Sequence, residues 1–401
     1  MINAVESNTQ QQAKGKEATV AQPKNGFSQY TNNIISILEA TARSRTPVLL
    51  KSAPGIGKTS MVEDMAAKNN WGFTKIVAST MDPTDVQGLP YRDTDSDGKT
   101  TMVFSTPQWA VELNEDAENK GRAILFIDEL STGSPSVQNA LLTVIQSRHL
   151  TNGFKLHPDV FIIAAMNPVG SGVAGVYEIS SALANRFAHI DYDPPKSDWL
   201  EGVVNDWGKC TDRDELRQRS IIAAYIKANL SKLQLDIEDP KNSHVSTGAW
   251  PSRRSWDNLA RSLTNVEDST VRKEIATALI GKPAAKHFVN WEKGFTLPDP
   301  EVVADNPSEV KWGTDNSKHF AILQNVIETF CRDDERRDDI TKVMEYMVDS
   351  DDIGTDIVAS LFDSAVRKCH PHIPDGLFKI EGLQEFLQDA GLVESDDDLD
   401  G

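Results

Sequence analysis

The chain has 401 residues, 39% of them hydrophobic and 25% charged, which is the balance of a folded protein with room for one large domain and one or two smaller ones. Its formal net charge of −19 disfavours a role that lives by neutralising nucleic-acid phosphates, since that work calls for clustered Lys and Arg. Cys210, Cys331 and Cys369 are odd in number and widely spaced, so neither a disulfide framework nor a zinc pattern is expected and a reducing, cytoplasmic setting fits; no apolar run approaches the ~20 residues of a membrane span, and the amino terminus lacks an apolar signal core.

Residues 1–26 are polar and Gln-rich, with little to bury, and are expected to form a flexible arm. Ile34, Ile35, Ile37 and Leu38 predict a short amphipathic helix, followed by a strand over Thr46–Leu50. Further apolar strands are expected at Thr74–Val77, Ile124–Ile127, Val160–Ala165 and His189–Tyr192, alternating with helical stretches. That alternation predicts an α/β domain over residues 27–196, a parallel sheet with helices on both faces. From about Ser197 the pattern turns helical, with Ile221, Ile222, Tyr225, Ile226 and Leu230 at helix spacing and further helices over Ser255–Leu263 and Val271–Ile280. A second, all-helical domain over residues 197–291 is expected to close near Trp291. A Pro- and Asp-rich link then leads to a helical region ending at residue 390, where Phe320, Leu323, Val326, Ile327 and Phe330 form a core stripe. The segment 391–401 reads as a solvated acidic tail.

The chemistry sits at two strand ends. After the first strand come Ser52, Ala53, Pro54, Gly55, Ile56, Gly57, Lys58, Thr59 and Ser60. A glycine-rich turn between a buried strand and a helix aims backbone N–H groups at an anion, and the helix dipole adds positive charge there. Lys58 can reach the β- and γ-phosphates of a nucleotide, and Thr59 can place its hydroxyl on Mg²⁺. Ser52 stands where the G-x-x-x-x-G-K-[ST] pattern has its first glycine. The later run Ile124-Leu125-Phe126-Ile127 ends in Asp128-Glu129; Asp128 suits the metal's shell, and Glu129 suits orienting or deprotonating a water. Asn167 closes another buried run and can hold that water or the γ-phosphate. Read alone it is a turn residue, as Arg186 alone is a surface arginine.

In this order, over residues 27–291, these residues resemble the AAA+ ATPases, and within them the MoxR group. The resemblance implies Walker A roles for Lys58 and Thr59, Walker B roles for Asp128 and Glu129, and a sensor 1 role for Asn167. Arg186, in Leu183-Ala184-Asn185-Arg186-Phe187, is implied as an arginine finger serving a neighbouring subunit. Pro251-Ser252-Arg253-Arg254-Ser255-Trp256 resembles the segment that opens a lid helix, with Arg254 as sensor 2 and Arg253 where proline is usual. Residues 82–107 are similar to the group's helix-2 insert, and 148–156 to its pre-sensor hairpin, which Asn152-Gly153 also favours as a tight turn.

The resemblance further implies an ATP- and Mg²⁺-dependent hydrolase that forms a homo-oligomeric ring, hexameric in the family pattern, and remodels a protein client, in such proteins often with a von Willebrand A-domain partner. The rival expectations are a nucleic-acid motor or loader, which the acidity opposes, and a nucleotide-gated scaffold with little hydrolysis, which Ser52 suggests. Residues 300–401 lie outside the resemblance and read as dispensable for basal hydrolysis. Asp93-Thr94-Asp95-Ser96-Asp97-Gly98 begins like a calcium loop, but Phe104 occupies the position of the bidentate glutamate, so a turn is expected. Cys369-His370-Pro371-His372 has no second ligand pair and reads as a surface turn.

Overall fold

A computed structural model describes residues 29–383, apart from 168–176, 205, 206, 208, 237, 238, 240, 241, 243–247, 351 and 352. The expected arm (1–26) and acidic tail (391–401) lie outside the described residues. Among the described residues there are seven strands: β1 (Val48–Lys51), β2 (Gly72–Val77), β3 (Pro90–Thr94), β4 (Thr100–Phe104), β5 (Ala123–Asp128), β6 (Val160–Met166) and β7 (Ala188–Asp191). Five of them form one parallel sheet in the order β2-β5-β6-β1-β7, while β3 and β4 pair as a separate antiparallel hairpin.

The central strands are near-continuous apolar runs because both faces are covered. In β5 the alternation splits the side chains, Leu125 and Ile127 joining one cluster and Ile124 and Phe126 the other, all four fully buried. The Gln29–Arg43 and Lys58–Lys68 helices cover the Phe126 face through Leu38, Val62 and Met65. The Gln108–Lys120 and Pro135–Ser147 helices cover the other through Leu113, Leu141 and Val144. Ile37, expected on the buried stripe, is 45% exposed, at the edge of the arc set by Ile34, Ile35 and Leu38.

The carboxyl-terminal part is helical, over Lys196–Val203, Arg213–Ala228, Arg253–Leu263, Ser269–Ile280, Lys282–Glu292, Pro300–Asp305, Asn316–Phe330, Asp339–Val348 and Thr355–Cys369. Tyr225, Trp256 and Phe288 meet at its centre, with ring centroids 5.2 to 5.8 Å apart. The stripe Phe320, Leu323, Val326, Ile327 and Phe330 is buried as the periodicity predicts. Its partners, however, include Ile222 and Ile226 of the Arg213–Ala228 helix, and one core runs from Trp199 to Leu383 without a break at the expected 291/292 boundary. One expectation here is corrected. Leu230 lies outside that helix, because Asn229 ends it by donating its side-chain amide to Tyr225 O, and Leu230 is 44% exposed. The helix expected over Val271–Ile280 is present as Ser269–Ile280, with Ala276 and Ile280 buried and Val271 47% exposed.

Candidate functional site

In a parallel sheet all carboxyl ends lie on one edge, and loops there collect the chemistry. The loop leaving β1 turns through Gly55 (φ 76°) and Gly57 (φ 107°), left-handed conformations that a Cβ would strain, and the helix starts at Lys58. Its first-turn N–H groups have no intrahelical acceptor and make an anion site. Ser52 is not among the described residues with positive φ, so no glycine is required at that position. Its hydroxyl instead accepts a hydrogen bond from Lys58 Nζ at 2.9 Å.

Lys58 Nζ also donates to Ser52 O at 3.0 Å and to Asn167 Oδ1 at 3.0 Å, so its three N–H groups are engaged. Burial pushes the Lys58 pKa down to about 8; Asp128 and Glu129 oppose the shift and Arg254 adds to it. Asn167 reaches Lys58 because β6, which it follows, lies between β1 and β5.

Asp128 ends β5, 15% exposed, with three groups on its carboxylate. Thr59 Oγ1 donates to Oδ2 at 3.0 Å, Lys75 Nζ lies 3.1 Å from the same oxygen, and the Glu129 N–H donates to Oδ1 at 3.0 Å. Glu129 adopts φ 54°, a left-handed conformation that costs a non-glycine residue about 1 to 2 kcal/mol. Its carboxylate accepts from Ser79 Oγ at 2.7 Å. The Thr59 hydroxyl and Asp128 carboxylate are hard oxygen donors brought together, the set that Mg²⁺ takes alongside waters and phosphate oxygens.

A cavity of about 510 Å³ lies between this sheet edge and the helical region, lined by every residue from Pro54 to Ser60 and by Asp128, Glu129 and Asn167. Ala53 contributes its carbonyl, 3.4 Å from Lys58 Nζ. The opposite wall includes Trp199, Arg253 and Arg254. The two arginines open the Arg253–Leu263 helix behind a Ser252/Ser255 capping box, and they differ in surroundings. Arg253 is buried and donates to Pro194 O at 2.6 Å, while Arg254 is exposed to the cavity and close enough to Lys58 to bear on its charge. Two contacts tie the helical side to the phosphate loop and the helix after it: Gln234 Nε2 donates to Pro54 O at 3.3 Å, and Lys209 pairs with Asp64 of the Lys58–Lys68 helix at 2.8 Å.

Arg186 is not brought to the cavity. It follows the Ser181–Ala184 helix, is half-buried, and lines a separate open depression with Asn185 and His189.

The segment 82–107 holds a short helix, Pro83–Gln87, and the β3–β4 hairpin; Leu89, just before the hairpin, and Tyr91 and Met102 within it are 63%, 53% and 70% exposed. It is joined to the 149–155 turn, which forms a single bridge rather than a ladder, because Thr151 donates to Gln87 Oε1 and Asn152 Nδ2 donates to Thr106 Oγ1. Asp95 spends its carboxylate on the N–H groups of Asp97 and Lys99, the turn expected in place of a calcium loop. Cys369 is buried at a helix end, where burial pushes its thiol up to about 11, unfavourable for a ligand thiolate.

Ser79, Lys75 and Gln234 escaped the sequence analysis. The first two were accessible only through strand register: Val77 of β2 lies opposite Asp128 of β5, so residues flanking Val77 reach the Asp128-Glu129 pair.

Residues 47–187 match the AAA domain of the dynein-related subfamily. Chaperone MoxR1 of Mycobacterium tuberculosis is 29% identical over 164 residues, 39% of this chain and 39% of that protein. An uncharacterized protein of Staphylococcus haemolyticus is 27% identical over 213 residues, 51% of this chain and 75% of its own length. Among solved structures, a RuvB mutant of Thermotoga maritima covers 73% of this chain and 82% of its own at a TM-score of 0.35 and 16% identity. The chain therefore carries, at residues 47–187, an AAA domain of the dynein-related, MoxR-type subfamily.

Proposed function

We propose that the chain is a Mg²⁺-dependent ATPase that assembles into a homo-oligomeric, hexameric ring and uses hydrolysis to remodel or mature a protein client. The observation that carries the hydrolytic part is the convergence of Lys58, Asn167, Thr59, Asp128 and Glu129 on one cavity. In this reading the N–H groups from Gly55 to Thr59 and the Lys58 ammonium hold the β- and γ-phosphates. Thr59 and Asp128 hold Mg²⁺, which when bound neutralises charge on the phosphate oxygens. Asn167 positions the γ-phosphate, and Glu129 orients and deprotonates the attacking water once it leaves Ser79. Arg254 faces the phosphates as sensor 2, and Arg253 anchors the helix to Pro194.

The ring is supported by the position of Arg186, which lines a depression other than its own chain's site and so is available to a neighbour. The joined surface of the hairpin and the 149–155 turn, with its exposed Leu89, Tyr91 and Met102, suits a protein client or a von Willebrand A-domain partner. The similarity to Chaperone MoxR1 supports a protein client over nucleic acid, as does the net charge of −19. Among the described residues no helix is long and apolar enough to cross a membrane.

A phosphate-release assay with Mg²⁺·ATP tests the hydrolytic reading; no release above that of a Lys58→Ala control at any protein concentration would leave the scaffold reading. A pull-down with Glu129→Gln in ATP tests the client reading and should retain a protein that wild type releases.

A further inference from the structure

The Asp128 carboxylate already has a cation. Lys75 Nζ lies 3.1 Å from Oδ2, the same oxygen that accepts from Thr59 Oγ1 at 3.0 Å. Lys75 comes from the edge strand β2, two residues before the position opposite Asp128, so its side chain leans along the strand toward that carboxylate. The lysine side chain is 36% exposed, whereas Asp128 is 15% exposed. The ammonium can therefore leave for solvent while the carboxylate stays. The ordinary reading of an edge-strand lysine is a solvated ion pair of little consequence. Here its partner is the carboxylate assigned to the metal, and it competes for the same oxygen.

We infer that Lys75 is a tethered counter-ion that occupies Asp128 in the metal-free site and must be displaced by the divalent metal arriving with nucleotide, which weakens metal binding and couples it to movement of Lys75. The inference rests on the nucleotide and metal reading above. Two cations cannot share one carboxylate oxygen at contact distance without strong repulsion, so binding of the metal includes the cost of breaking the Lys75 pair. The same pair keeps Asp128 compensated when the metal is absent, so the loop does not carry an unpaired, largely buried anion.

The test measures ADP affinity by calorimetry with Mg²⁺ and with EDTA, for wild type, Lys75→Gln and Lys75→Arg. The ratio of the two affinities is the metal's contribution, and no hydrolysis is involved. Lys75→Gln should raise that ratio about two- to fivefold, the range of a partly exposed ion pair, and Lys75→Arg should leave it near the wild-type value. In EDTA the Lys75→Gln protein should melt lower than wild type, with the gap closing when Mg²⁺·ADP is added. A Lys75→Gln ratio equal to wild type, with wild type binding ADP normally, overturns the counter-ion while leaving the nucleotide site standing. Absence of ADP binding to wild type in either condition overturns both readings.

Discussion

Lys58 Nζ donates to Asn167 Oδ1 at 3.0 Å across 109 positions of sequence, joining the loop after β1 to the end of β6. The contact fixes a buried ammonium that, in the proposed function, meets the γ-phosphate. Lys58→Ala should abolish measurable ATP binding, because it removes the main fixed charge on the β- and γ-phosphates. Unchanged affinity by calorimetry would take Lys58 out of the site.

The pH dependence follows from the same ammonium. In the nucleotide-free protein burial holds Lys58 at about 8, and phosphate oxygens must raise that value by favouring the charged form. Above pH 8 the free site has lost a proton that the bound site retains, so binding takes up a proton and affinity falls as pH rises. Calorimetry at pH 8.5 in buffers of differing ionisation enthalpy should show net uptake. Proton release, or affinity that is flat from pH 7 to 9.5, would contradict the assignment.

Glu129→Gln should keep nucleotide binding and slow hydrolysis by about 10²-fold or more, the contribution of a positioned base. Ser79 holds the Glu129 carboxylate at 2.7 Å in the resting site, so Ser79→Ala should raise basal turnover, by up to about tenfold for the loss of one solvent-exposed hydrogen bond. A fall in turnover in Ser79→Ala would mean that Ser79 positions the base instead of restraining it.

Arg186→Ala should bind ATP and fail to hydrolyse it, since an arginine finger changes turnover by about 10³- to 10⁵-fold. Mixing it with Lys58→Ala subunits should restore part of the activity, because an intact Lys58 site can then receive an intact Arg186 from its neighbour. Specific activity of wild type should rise with protein concentration. An inactive mixture, with activity per subunit constant down to a monomeric concentration, would remove the ring.

Deleting residues 300–401 reads from sequence as harmless to basal hydrolysis, but the shared core gives the opposite expectation. The deletion strips Phe320, Leu323 and Ile327 from a core they share with Ile222 and Ile226. Each large buried side chain removed costs about 2 to 5 kcal/mol, so the helical wall of the nucleotide cavity should unfold and activity should fall with it. Retained wild-type melting behaviour in the truncated protein would show that the two helical regions fold apart.

Much of the site was legible because its parts are local. Gly55 and Gly57 are needed for their own backbone, Lys58 follows them on the helix they begin, and Asp128-Glu129 ends a run of residues buried on both faces. Periodicity and turn chemistry carry that information along the chain, and they placed the five strands of the parallel sheet to within two residues at either end. What they could not carry was neighbourhood. The order β2-β5-β6-β1-β7 puts Asn167 beside Lys58, and the pairing of β2 with β5 sets Ser79 on Glu129 and Lys75 on Asp128. Ser52 departs from the glycine of the sequence pattern, and only the fold shows its hydroxyl on Lys58. No break in the helical core marks the expected boundary at residue 291, since a Pro- and Asp-rich link marks a turn in the chain but says nothing about which helix packs against Ile222. Local sequence determined the phosphate loop and the strands, whereas the charges on Asp128 and the single helical core depend on contacts between distant segments, which only the folded chain brings together.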